Sequence, residues 1–198
     1  MMNTQMFNNL KILSWNIQSS NTVSGSKFDD QPFRDILNKN DILCLQEIRQ
    51  SIKYPGYRAF NKTRSHEKNG GVCTLVKNEI AEGVHRFSST IPDLVVCKLK
   101  RSFFNLSTDI FLINVYIKPA NTSSTNSDGS GHDILRELDV LINDLQKQGE
   151  VLLCGDFNAR IADEPDYILN DTDGTDCFIP LPDDYIPDTL HKRNSTQT

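Results

Sequence analysis

Apolar residues fall in short, dense runs along most of the chain, and run after run stops at a polar side chain. Residues 10–16 (LKILSWN) alternate in part, carry a β-branched residue and Trp15, and exit on Asn16, which predicts a first strand. Residues 31–40 place Pro32 in a first turn and Phe33, Ile36 and Leu37 on one face, the pattern of a short helix. Residues 41–47 (DILCLQE) predict a buried strand that stops at a carboxylate. Residues 57–60 and 71–76 read as two strands joined by a polar loop, in which Asn69-Gly70-Gly71 supplies the positive φ of a tight return. Residues 84–87, 94–99 and 110–117 continue a β-rich middle, with Tyr116 near the last exit and Pro119 closing it.

The clearest helix spans residues 133–148. Ile134, Leu138, Leu141 and Leu145 form one apolar face, widened by Leu135 and Ile142, and Gly149 stands where the helix should stop. It leads straight into residues 151–154, four apolar residues that predict a strand covered on both faces. Gly155 would let the backbone turn before Asp156 and Asn158. A helix feeding a buried strand is an α/β unit, and without an internal repeat or linker residues 1–198 read as a single domain.

Composition narrows the class. A chain of 198 residues with 37% apolar content can bury a sizeable core. No run reaches the roughly 20 apolar residues of a membrane span. The first residues carry neither a basic nor an apolar leader pattern, so a nuclear or cytoplasmic protein is expected, neither secreted nor membrane-bound. Cys44, Cys73, Cys97, Cys154 and Cys177 show no C-x-x-C spacing, and the first four are expected to be buried free thiols.

The net charge of -5 is unevenly placed. Between Asp156 and Asp188 there are ten acidic residues against one basic, Arg160, so the rest of the chain is net positive. Six cations, Arg49, Lys53, Arg58, Lys62, Arg64 and Lys68, crowd into 20 residues with Tyr54, Tyr57 and Phe60 between them. That run is either a phosphate-tracking patch or a solvated basic loop.

Asn16, Glu47, Tyr116, Asp156 and Asn158 all stand at strand exits. One polar exit is ordinary turn chemistry, but the same event at four exits, with two carboxylates, is a candidate site. Oxygen ligands without a strong zinc ligand suggest a hard cation, with Mg2+ the natural choice.

The motifs ILSWNIQ (12–18), ILCLQEIR (42–49), GGVCTLV (70–76), INVYIKP (113–119) and LLCGDFNARI (152–161) resemble, in order, those of the endonuclease/exonuclease/phosphatase superfamily. The GGV strand after a basic loop is most similar to the apurinic-endonuclease-like endonuclease domain of LINE-type, non-LTR retrotransposons. The resemblance implies a four-layered αββα sandwich of the deoxyribonuclease-like type and a metal-dependent, DNA-nicking phosphodiesterase. It implies Mg2+, with Mn2+ as an alternative, held by Glu47 with Asn16 beside it. Asp156 would activate the water, Asn158 would donate to the phosphate and Tyr116 would face its oxygens. Arg49, Arg58, Lys62, Arg64 and Lys68 would bind DNA, and a reverse transcriptase would follow in the parent polyprotein.

The sequence departs from the superfamily in one respect. No Ser-Asp-His or Asp-His occurs in it, and His191 has neither a strand pattern nor a preceding Asp. The expectation is a domain incomplete at its C-terminal end, with little or no nuclease activity of its own. Two alternatives stay open: a phosphatase or sphingomyelinase-like member, and a non-catalytic binding module.

Overall fold

Alternation along the strands sorts the apolar side chains into three interlayer spaces, and this sorting defines the architecture. The structure, a computed structural model, describes residues 9–23, 25–64, 70–118 and 134–158. All belong to the contact unit Met1–Ala159. The expected single domain over 1–198 therefore extends outside the described residues, as do Lys68, Cys177 and His191.

In chain order the elements are β1 (Ile12–Asn16), a short ribbon of β2 (Asn21–Thr22) and β3 (Gly25–Ser26), α1 (Gln31–Asn38), β4 (Ile42–Gln46), β5 (Tyr57–Lys62) and β6 (Val72–Lys77). There follow β7 (Val84–Phe87), β8 (Leu94–Leu99), α2 (Arg101–Phe104), β9 (Ile110–Tyr116), α3 (Ile134–Gln146) and β10 (Glu150–Asp156). One sheet has the order β1-β4-β6-β5 and the other β10-β9-β8-β7.

Even-numbered residues of β4 and β6, such as Ile42, Cys44 and Val76, meet Val95, Cys97, Leu99 and Leu112 of the second sheet. Odd-numbered residues of the same strands, Leu43, Leu45, Cys73 and Leu75, pack under Phe33 and Leu37 of α1. On the far side Phe111, Ile113 and Val115 of β9 pack under Leu138 and Leu145 of α3. The result is the expected αββα sandwich. A fully buried Leu, Ile or Phe contributes roughly 1.5–3 kcal/mol, so a one-residue slip of β4, which would exchange its two apolar faces and part Gln46 from Asn114, is strongly disfavoured.

β1 pairs parallel with β4, and β10 parallel with β9; the other pairings within the two large sheets are antiparallel. A parallel pair needs a crossover, and α1 and α3 lie on the two crossovers. The register sets Asn16 opposite Gln46 and Asp156 opposite Tyr116. Each sheet thus delivers two strand exits side by side.

Five expectations change, the first being Leu135, which is 61% exposed and does not widen the packed face of α3. Ile36 is 43% exposed, because α1 presents only Phe33 and Leu37 to the sheet. β10 is an edge strand among the described residues and leaves Leu152 43% exposed, so it is not covered on both faces. Gly155 remains inside β10, where a Cβ would run into the Val115 carbonyl oxygen of β9; close approach, rather than a turn, requires the glycine. The aromatics of the basic run are core: Tyr54 is 7% exposed against Phe28 and Tyr57, and Phe60 packs between the sheets. The thiol expectation holds for Cys44, Cys73 and Cys97, which are free and buried, while Cys154 is half-buried.

Candidate active site

The four adjacent exits of β1, β4, β9 and β10 meet at one end of the sandwich. Asn16 is the junction. Its Nδ2 donates to Glu47 Oε1 at 2.8 Å and to Asp156 Oδ2 at 2.5 Å, and its Oδ1 accepts from the Gln18 amide at 2.9 Å. An amide nitrogen has two hydrogens, so this one side chain orients a carboxylate from each sheet and is itself fixed by the loop.

Glu47 follows β4 immediately with φ 53°, a left-handed conformation that turns its side chain out of the strand alternation. The backbone around it is held: its carbonyl accepts from the Ser19 amide at 2.7 Å, and the next amide, Ile48, donates to Gly71 at 3.2 Å. Asp156 is fixed at both oxygens, since Oδ1 accepts from the Asn158 amide at 2.9 Å. Asn158 has φ 45°, which asparagine tolerates better than most residues, and its Nδ2 donates to the Ile117 carbonyl at 2.7 Å. One amide hydrogen of Asn158 is thereby committed to the backbone, and the other is directed at the Tyr116 oxygen.

Tyr116 is 5% exposed. Burial, the hydrogen-bonded Glu47 carboxylate and the nearby Asp156 all disfavour its phenolate, pushing the phenol up to about 12, while a hydrogen bond with Asn158 opposes them. The phenol is a donor throughout the neutral range.

The predicted cations are dispersed. Arg49 is exposed two residues beyond Glu47, with φ 59°, and its guanidinium has no partner among the described residues. Arg58 donates to the Ala81 carbonyl at 3.1 Å and pairs in register with Val76, whereas Lys62 pairs with Val72 at the site end. At about 3.3 Å per residue that places Arg58 roughly 13 Å along β5 from Lys62. Lys62 donates to the carbonyls of Ser89 and Ile91, and Arg64 pairs with buried Asp93 at 2.7 Å. Lys62 and Arg64 bind the protein itself.

Two residues of the site region were missed from the sequence. Gln46 and Asn114 are 1% and 0% exposed and join the sheets just behind Glu47 and Tyr116. The signal was available: each is the polar interruption of an otherwise apolar buried run.

The donors fit a hard cation. Two carboxylates share one amide, and the ion pairs of Arg64, Lys77, Lys98 and Lys147 are made with other acids. Like charges so placed call for a counter-charge. Among the described residues no cluster of three or more His, Cys, Asp or Glu is set to hold a metal alone. Two carboxylates are the oxygen ligands a hard divalent cation takes from a protein, with waters or substrate oxygens for the rest.

A family model described as the Endonuclease/Exonuclease/phosphatase family matches residues 13–188. The chain belongs to this family. Its fold is also that of solved family structures at low identity. The AP endonuclease LMAP from Leishmania major superposes with a TM-score of 0.54 at 15% identity, covering 74% of this chain and 54% of that one. The Xenopus laevis APE2 catalytic domain gives 0.51 at 19%, covering 76% and 59%. The endonuclease domain of TRAS1, a telomere-specific non-LTR retrotransposon, gives 0.50 at 16%, covering 77% and 62%. The chain therefore spans just over half to under two thirds of the length of these structures. A search of curated proteins finds no match.

Proposed function

We propose that this chain carries the metal-binding half of a phosphodiesterase site that cuts DNA, with Mg2+ as the cofactor and Mn2+ as a substitute. The observation that carries the reading is the convergence of Glu47 and Asp156, from opposite sheets, on the single amide of Asn16. Glu47 would hold the cation, with Asn16 fixing its carboxylate. When bound, the metal supplies a positive charge against the phosphate oxygens.

The protein's own groups divide the remaining work. Asp156, held at both oxygens, is placed to orient a water and accept its proton. Tyr116, kept neutral by burial and by two carboxylates, would give its hydroxyl hydrogen to a non-bridging oxygen in exchange for Glu47, and Asn158 would turn its amide hydrogen from the Tyr116 oxygen to the phosphate. Arg49 is the exposed cation beside this cluster and the best-placed contact for a flanking phosphate. A cleft of about 650 Å3 opens next to Asn16, lined by Trp15, Ile17 and Phe33 together with Lys27, Asp29 and Asp30. DNA as substrate is supported by the likeness to AP endonucleases, and a retrotransposon polyprotein as the parent by the likeness to the TRAS1 endonuclease domain and by the motif order, on which a following reverse transcriptase also rests.

Without an Asp-His pair in the sequence, the 198-residue chain should nick DNA weakly or not at all. Metal and DNA binding therefore test the reading more directly than turnover. Mn2+ should broaden NMR signals around Asn16, Glu47 and Tyr116 first, and duplex affinity should fall with salt. Uniform broadening, or a flat salt dependence, would count against a DNA-directed metal site.

A further inference from the structure

We propose that Asp93 is a positioning residue for the site, joining through one side chain and one carbonyl the two backbone segments that carry Glu47 and Tyr116. Asp93 lies just before β8, is 1% exposed and has φ 47°, a left-handed conformation uncommon outside Gly, Asn and Asp. Its carbonyl accepts from the Tyr116 amide at 2.9 Å. Its Oδ1 accepts from the Gly71 amide at 2.9 Å. The carbonyls of Gly71 and Gly70 in turn accept from the amides of Ile48 and Arg49, at 3.2 and 3.0 Å. Asp93 is thus one hydrogen bond from Tyr116 and two from the residue that follows Glu47.

The second oxygen forms an ion pair with Arg64 at 2.7 Å that lacks hydrogen-bond geometry, and Lys62 donates to Ser89 and Ile91 in the loop leading to Asp93. This gives the end of the basic run a purpose the sequence did not suggest: two cations from the exit of β5 hold the Asp93 loop against the Gly70-Gly71 turn. Packing leaves no slack there, since a Cβ at Gly70 would lie 3.0 Å from Asp93 Oδ2. A buried ion pair is weak support for stability as such, because desolvation offsets its attraction. The clamp differs from such a pair in its hydrogen bonds, which end on the backbone of site-bearing segments.

The proposal rests on reading Glu47 and Tyr116 as site residues, and its test separates the two ideas. The isotope-labelled full chain is compared with Asp93→Asn, which keeps shape and tolerance for positive φ, and with Arg64→Met, which removes only the outer partner. Amide hydrogen exchange at Ile48, Arg49, Gly71 and Tyr116 should accelerate about tenfold or more in Asp93→Asn, with Val96 and Cys97 in β8 unchanged. Mn2+ affinity should drop roughly tenfold, the scale for losing a group that orients a ligand. Arg64→Met should show the same pattern more weakly, and it decides the matter if Asp93→Asn does not fold. Unchanged exchange at those four amides, or equal acceleration throughout, would overturn the clamp. If the wild-type chain binds no Mn2+ at Glu47, the metal site fails while the exchange pattern still decides Asp93.

Discussion

Gln46 Nε2 donates to Asn114 Oδ1 at 2.7 Å, across the interior between the sheets, one residue before Glu47 and two before Tyr116. Asn114 also reaches the Cys73 carbonyl at 3.1 Å and Thr74 Oγ1 at 3.3 Å. Two polar residues in an apolar layer are tolerable only because they satisfy each other. Together they fix how far β4 and β9 slide past one another, and hence the spacing of the residues that follow. Asn114→Leu strands several buried partners and should lower stability by about 1–3 kcal/mol, seen as a shifted denaturant midpoint at unchanged slope.

Asn16 orients a carboxylate from each sheet. In Asn16→Ala both lose their shared donor, and Mn2+ affinity should fall roughly 10–100-fold while the fold persists. Calorimetric titration measures this; an unchanged affinity would remove Asn16 from the site.

Gly155 combines φ 147° with the Val115 carbonyl where a Cβ would stand. Gly155→Ala must push β10 away from β9, at a cost of at least about 1–3 kcal/mol from strain alone. Urea unfolding reports the cost, and the displacement of Asp156 should appear as weaker Mn2+ binding.

Alkaline behaviour follows from two phenols. Tyr57 is pushed up to about 12, chiefly by burial and then by Tyr54, Asp41 and Glu79; Tyr116 reaches about 12 by burial and its carboxylates. Both pKa values are raised above the unfolded value near 10, so the folded chain keeps protons that the unfolded chain releases. Their contribution is complete below about pH 10 and is lost as pH rises towards 12. Stability should therefore decline across that window, and Tyr57→Phe or Tyr116→Phe should each flatten part of the decline. In chelator, Glu47→Gln should lower the Tyr116 titration, read as phenolate absorbance.

The strand-exit residues and the layers were legible because period-two alternation reports directly which face of a strand is buried. Ile42, Leu43, Cys44 and Leu45 fill alternate sides as their pattern implies. The helix over Ile134–Gln146 was legible from its 3.6-residue apolar spacing, and the free buried thiols of Cys44, Cys73 and Cys97 from the apolar strands that carry them. The fate of the basic run was not. A lysine or arginine looks the same in sequence whether it meets a phosphate or a carbonyl, and its partner is chosen by whichever loop crosses in front of it.

What the sequence alone determined is therefore the strands and the polar residues that stand at their exits, since hydrophobic burial selects those strands locally. What only the tertiary structure decided is how the set is held. Asn16 reaches Asp156 across 140 residues of chain, Gln46 reaches Asn114 across 68, and Asp93 gathers Gly71, Arg64 and Tyr116. These are directional bonds of fixed length between distant segments, and no local pattern encodes them until packing brings their ends together.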